Sequence, residues 1–337
     1  MMRKIVLSIL VMWMFGSMCG QNVELSFNKD GKFKIVQFTD IHYKTGSEGA
    51  VKTIQLMKRI LDAENPDLIV YTGDVITCNP QKQGWDEVLS VAAERRIPYA
   101  VVLGNHDDEH DWTRRQIFDY IDTKPFSLAR KGAGGIKGTG NYILKIAGNT
   151  KKTCALLYFF DSNAYNKVGE QEGYDWFGFD QVEQYRKDSR RYTRANGGIP
   201  YPALAFFHIP LHEYTLLRDT TKNYVKNAPF FGVREEKECP GILNTGMFAA
   251  MVESGDVMGT FVGHDHDNDY IGYLNGICLA YGRCTGVEST YNKIGFGARV
   301  IELKENGRTF ETWIRDQQDR LLYKAVYPDS FVTQEKQ

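Results

Sequence analysis

Five apolar runs of strand length each stop on a residue able to bind a metal or move a proton, and this constrains the chain more than any other feature. Phe33 to Thr39 runs into Asp40-Ile41-His42, Asp67 to Thr72 into Gly73-Asp74, and Pro98 to Leu103 into Gly104-Asn105-His106-Asp107. Further on, Tyr201 to Phe207 runs into His208, and Val257 to Val262 into Gly263-His264-Asp265-His266. Between the first two runs Ala50, Val51, Ile54, Met57 and Leu61 recur at helical spacing, and Trp85 to Arg96 reads as a second helix. Strands that alternate with helices demand parallel pairing. In an open α/β sheet ligands sit beyond the carboxyl ends of the strands, so residues far apart in sequence converge there.

The middle of the chain is looser. Gly132 to Gly138 is a glycine-rich stretch without Gly-Lys-Ser/Thr, and it leads into a strand rather than opening a helix, so it reads as a linker or rim and not a nucleotide loop. Strands are expected at Tyr142 to Ile146 and Cys154 to Phe160. A terminal hairpin is expected from Ala298 to Leu303 and Thr309 to Ile314, turning at Glu305-Asn306-Gly307. With no repeat, charge block or composition shift after residue 25, one α/β domain is expected from 25 to 325, followed by a tail from 326 to 337.

Each ligand-type motif has an ordinary explanation when taken alone. Asp40 reads as a turn residue, Asp74 as a helix cap and His208 as a packed core histidine. Gly263-His264-Asp265-His266 is the most specific, because alternating histidines on an extended segment aim at one site. The ordinary explanations must all hold together, in this order, while all seven histidines (His42, His106, His110, His208, His212, His264 and His266) follow strand-like runs. A convergent site is the better reading.

The order Asp-x-His, Gly-Asp, Gly-Asn-His-Asp, His, Gly-His-x-His resembles the calcineurin-like metallophosphatase superfamily across nearly the whole chain. Phe38 to Tyr43, Gly138 to Tyr142 and Phe207 to Leu211 look most like its purple acid phosphatase branch. The resemblance implies a four-layer α/β/β/α sandwich of two mixed sheets flanked by helices. It implies a first metal held by Asp40, His42 and His266, a second held by Asn105, His208 and His264, and Asp74 bridging both. Thr77 stands where true purple acid phosphatases carry a metal-binding tyrosine, so the purple colour should be absent. His212-Glu213 resembles the start of a zinc-protease motif, but Leu216 stands where its second histidine would be.

Imidazole, carboxylate and one amide oxygen, without thiolate, suit two Mn, Fe or Zn ions. Such a pair clamps a phosphoryl group and activates a water for in-line attack. The expected activity is therefore hydrolysis of small phosphate mono- or diesters. His106 would protonate the leaving oxygen and Asp107 would orient it, with His110 and Arg283 as further places for substrate contact. A non-catalytic, exported metal- or phosphate-binding protein that keeps the fold is the alternative.

Residues 1 to 20 read as a secretory signal, with Arg3 and Lys4 before an apolar run from Ile5 to Phe15. Cys19 leaves lipid attachment and simple cleavage both open. A periplasmic, secreted or outer-surface bacterial protein is expected. No later run approaches the roughly 20 apolar residues that a membrane-spanning helix needs. Lys plus Arg number 41 against 42 Asp plus Glu, so no broad positive field recruits duplex nucleic acid. Cys78, Cys154, Cys239, Cys278 and Cys284 form no C-x-x-C pair and read mostly as free thiols.

Overall fold

A computed structural model describes residues 23–218, 229–305 and 307–332. The residues expected to form a signal, Cys19 among them, lie outside the described residues, as do Asn306 of the expected turn and the end of the expected tail. In chain order the elements are β1 (Leu25–Ser26), β2 (Lys32–Phe38), α1 (Glu48–Glu64), β3 (Leu68–Thr72), α2 (Gln81–Arg95), β4 (Tyr99–Val102) and α3 (Arg114–Ile121). Next come β5 (Tyr142–Ala147), β6 (Thr153–Phe159), β7 (Tyr165–Val168), β8 (Gln171–Tyr174), α4 (Phe179–Ala195) and β9 (Ala203–Phe206). A 3-10 segment (His212–Arg218) and α5 (Met247–Ser254) precede β10 (Val257–Val262), β11 (Ile271–Leu274), β12 (Ile277–Tyr281), β13 (Gly297–Lys304), β14 (Phe310–Asp316) and β15 (Leu321–Tyr327).

These strands form two mixed sheets, one ordered β1-β5-β6-β9-β10-β12-β11 and the other β15-β14-β13-β2-β3-β4. The pairs β2/β3 and β3/β4 are parallel, as are β6/β9, β9/β10 and β10/β12. Their strands are buried on both faces, which is why they read as unbroken apolar runs rather than alternating ones. The two sheets pack face to face through contacts such as Phe261 on Phe310, with ring centroids 5.8 Å apart. Polar links cross the same interface, among them Gln37 Nε2 donating to the Val262 carbonyl at 3.0 Å and Arg299 Nε donating to the Tyr281 carbonyl at 2.6 Å.

Helices cover the outer faces. Tyr185 of α4 and Met251 of α5 bury against Tyr158 and Val257 of the first sheet. Met57, Ile60 and Leu61 of α1 and Trp85 of α2 bury against the second. A fully buried aliphatic side chain contributes about 1.5–3 kcal/mol relative to exposure. Ser47 starts α1 by accepting from Ala50 N, and Asn65 ends it in a left-handed conformation. The architecture is the four-layer sandwich the resemblance implies.

Four expectations need correction. Val51 is 58% exposed, because it lies one residue round from the Ala50 stripe. Helix α2 begins at Gln81, four residues before Trp85, since the Gln81 side chain is buried and engaged with the site. The fold does not end at residue 325, because β15 runs on to Tyr327 and Phe331 packs on Phe231 at 5.4 Å. His212 and His110 follow no strand end directly, one lying in the 3-10 segment and the other on an exposed loop. The five described cysteines are free thiols, and no described helix is long and apolar enough to cross a membrane.

Candidate metal centre

The carboxyl ends of β2, β3, β4, β9 and β10 meet on one rim, and two groups of donor atoms form there. Asp40, His42 and His266 make one and Asp74, His208 and His264 the other, with donor atoms in each group within 4.8 Å of one another. Asp74 Oδ2 lies between them, 3.1 Å from His208 Nε2 and 3.7 Å from His42 Nε2. His42 and His266 bring their Nε2 atoms within 3.1 Å of each other, and His266 Nε2 is 3.5 Å from Asp40 Oδ1.

The backbone is strained to achieve this. Asp40, His42, Asp74 and His264 all have positive φ, at 51°, 44°, 49° and 81°. A non-glycine residue in that region costs on the order of 1–3 kcal/mol, and such strain concentrates at functional sites. Close approach also forces glycine: a Cβ on Gly73 would sit 2.5 Å from His208 Nδ1 and 2.6 Å from Gly104 N.

Each ring is turned inward by a bond at its far nitrogen. His208 Nδ1 donates to the Thr72 carbonyl at 2.8 Å, and His266 Nδ1 to the Thr290 carbonyl at 2.5 Å, which leaves Nε2 of each facing the site. Asp40 ties two loops together by accepting from His264 N at 3.0 Å and from the Thr39 hydroxyl at 2.9 Å.

Electrostatics follow from burial. Asp40 and Asp74 are each 1% exposed. Burial alone would favour their neutral forms, yet His266 holds Asp40 down to about 2, and His208 and His42 hold Asp74 well below the carboxylate range. His42 is lowered to about 4 and His264 to about 3, chiefly by burial. Burial also opposes charge on His208 and His266, but Asp74 and Asp40 outweigh it and raise both to about 9. Two ionised carboxylates are thus buried beside imidazoles, and positive charge next to them, from protons on His208 and His266 or from cations in their place, offsets the cost of burying them.

The donors fit metal ions. Asn105 Oδ1 and His264 Nε2 are buried without a hydrogen-bond partner, while His208 Nε2 has only Asp74 Oδ2 at 3.1 Å beside it, and orphaned buried polar atoms are uncommon in folded proteins. Asn105 stands between two contacts to Asp74: its neighbour Gly104 packs on the Asp74 carboxylate, and His106 N donates to Asp74 Oδ1 at 2.8 Å. The donor set of imidazole, carboxylate and amide oxygen suits transition metals.

Asp107 needs correction. It does not touch the His106 ring but is fully buried, accepting from Val75 N at 2.8 Å, Ile76 N at 3.1 Å and Gly104 N at 2.8 Å. Its carboxylate therefore staples the Asp74 loop to the Asn105 loop, while burial, then Asp74, raises its pKa to about 6. The partner of His106 is Glu109, whose Oε2 lies 2.7 Å from Nδ1. Glu109 carries no sequence signal, since Asp107-Asp108-Glu109-His110 reads as a solvated loop. Arg283 is 3% exposed and paired with Asp269, so it is no substrate contact. His110 stays on the surface, and His212 joins neither donor group.

Three further contributors were not foreseen. Arg114 donates to the Gly104 carbonyl at 2.8 Å and the Leu103 carbonyl at 3.2 Å while pairing with Asp161, anchoring the Asn105 loop from behind. Tyr165 and Tyr174, on the β7–β8 hairpin, reach Asn105 and His264.

Comparison with known proteins agrees with this architecture. Residues 33–268 match the Calcineurin-like phosphoesterase family. The chain is 35% identical over 327 residues to "Probable inactive purple acid phosphatase 29" of Arabidopsis thaliana, covering 87% of this chain and 82% of that protein. It is 34% identical over 324 residues to "Phosphatase DCR2" of Saccharomyces cerevisiae, covering 85% of this chain and 54% of the yeast protein. A dimetal phosphatase from Danio rerio has the same fold, with a TM-score of 0.58 at 12% identity over 87% of this chain and 98% of that one. With its motifs in order and its donors gathered on one rim, the chain belongs to the calcineurin-like phosphoesterase family.

Proposed function

We propose that the chain is an active metal-dependent phosphoric ester hydrolase that takes a small phosphate mono- or diester. The observation that supports this best is Asp74 Oδ2, set between His42 and His208 with orphaned donors around it. Asp40, His42 and His266 would hold one ion, Asn105, His208 and His264 a second, and Asp74 both. The ions, when bound, supply positive charge that steadies the phosphoryl oxygens and acidifies a water for attack.

His106 carries the proton for the other end of the reaction. Its Nδ1 is held by Glu109, so Nε2 is the edge free to protonate the departing ester oxygen. Asp107 and Arg114 fix the loops on which Asp74, Asn105 and His106 ride.

The Arabidopsis relative's name calls that protein inactive, which makes a fold-retaining binding protein the rival reading. Against it, every donor in both groups and the His106–Glu109 pair are present in this chain. A panel of alkyl and aryl mono- and diesters, run on full-length protein reconstituted with Mn, Fe or Zn in turn, separates the two. Turnover of at least one ester class is expected. Metal uptake without turnover of any ester would favour the binding protein.

A further inference from the structure

The β7–β8 hairpin belongs to neither main sheet and is largely exposed, yet its two tyrosines reach the metal centre. Tyr165 and Tyr174 are direct cross-strand partners, and their rings stack with centroids 5.6 Å apart. From this pair, the Tyr165 hydroxyl accepts a hydrogen bond from Asn105 Nδ2 at 2.8 Å. The Tyr174 ring meets His264 edge-on at 4.3 Å. Asn105 and His264 are donors of the second metal position, and Tyr165 also meets the His106 ring edge-on at 6.3 Å. Donors of the first position are steadied from elsewhere, His266 by the Thr290 carbonyl and Asp40 by the Thr39 hydroxyl.

An amide has two ends of nearly equal shape, and only the oxygen can face a cation. Asn105 is 1% exposed with Oδ1 buried and unpartnered, so the orientation of its amide rests on what accepts from Nδ2. The Tyr165 hydroxyl is that acceptor. Without it the amide loses the bond that tells oxygen from nitrogen, and a buried donor is left unmatched.

We infer that Tyr165 is a positioning residue for the second metal position: it holds the Asn105 oxygen inward while Tyr174 braces His264, so the docked hairpin completes that position alone. The inference rests on the dinuclear reading of the site. It assigns the hairpin a task in metal affinity that can be read without turnover.

The test titrates metal-free, full-length protein with Zn²⁺ against a chromophoric chelator, which resolves tight and weak equivalents. Tyr165→Phe keeps the ring stack and removes the hydroxyl that accepts from Asn105; that hydroxyl also meets Glu109, so the readout is metal affinity and not activity. It should weaken the second equivalent roughly 10–100-fold, as loss of a ligand-orienting partner does, and leave the first at parental affinity. Tyr174→Ala should act in the same direction. Parental affinity for both equivalents in Tyr165→Phe would overturn the inference, and so would equal weakening of both with a lowered melting temperature, which marks a general loss of structure. Asn105→Ala separates this failure from failure of the site. If it loses the second equivalent while Tyr165→Phe keeps it, only the tyrosine's role is wrong. If it too binds both equivalents at parental affinity, the dinuclear assignment falls and the inference with it.

Discussion

Asp74→Asn should reduce ester hydrolysis by on the order of 10³-fold and lower metal occupancy with it. The substitution keeps the shape of the side chain and removes the one negative charge that faces both histidine groups. Charge stabilisation by bound metals is worth several kcal/mol in the transition state, and about 1.4 kcal/mol is a factor of ten in rate. The strain stored at Asp74, whose φ is 49°, is retained in the variant, because asparagine tolerates that conformation at least as well. A folded Asp74→Asn protein that hydrolyses esters at the parental rate would remove Asp74 from its place between the ions.

His106→Ala should instead lower kcat by roughly 10² to 10⁴ while metal content stays parental, because general acid catalysis contributes about that much. The loss should depend on the leaving group. Nitrophenolate departs without a proton and should suffer little, whereas an alkoxide must be protonated as it leaves and should suffer most. Glu109→Gln should show the same pattern more weakly, since it only removes the charge behind Nδ1, 2.7 Å away. His208→Ala, which removes a metal donor, should hurt both substrates alike. A His106→Ala variant that loses metal, or slows both esters equally with metal intact, would contradict the proton-donor role.

The parallel core and the donor residues were legible because both leave local traces. A strand covered on both faces must be apolar throughout, as Leu68–Thr72 is, and a loop that binds metal must carry imidazole or carboxylate at its tip. What the sequence hid depends on partners distant in the chain. Asp107 looks like a neighbour for His106, yet three backbone N–H groups from two loops claim its carboxylate. Gln81 opens α2 earlier than its apolar periodicity suggests, since its side chain serves the Asp107 carbonyl at 2.5 Å and the Trp112 amide at 3.0 Å. The β7–β8 hairpin escaped notice because an exposed ribbon buries neither face and shows no apolar alternation. Its function lies in two tyrosines that become neighbours only when the strands pair. Phe331 is likewise unremarkable in sequence and becomes core only through Phe231 and Tyr273.

The central claim is a dinuclear centre, and the most direct measurement is metal content per chain by mass spectrometry after separate reconstitution with Mn, Fe and Zn and removal of loose ions. Two ions per folded chain with at least one metal are predicted, because cations beside the two buried carboxylates would also satisfy the orphaned Asn105 oxygen and His264 nitrogen, which protons on neighbouring imidazoles do not. Chains that fold yet retain no ion with any of the three metals would contradict the account.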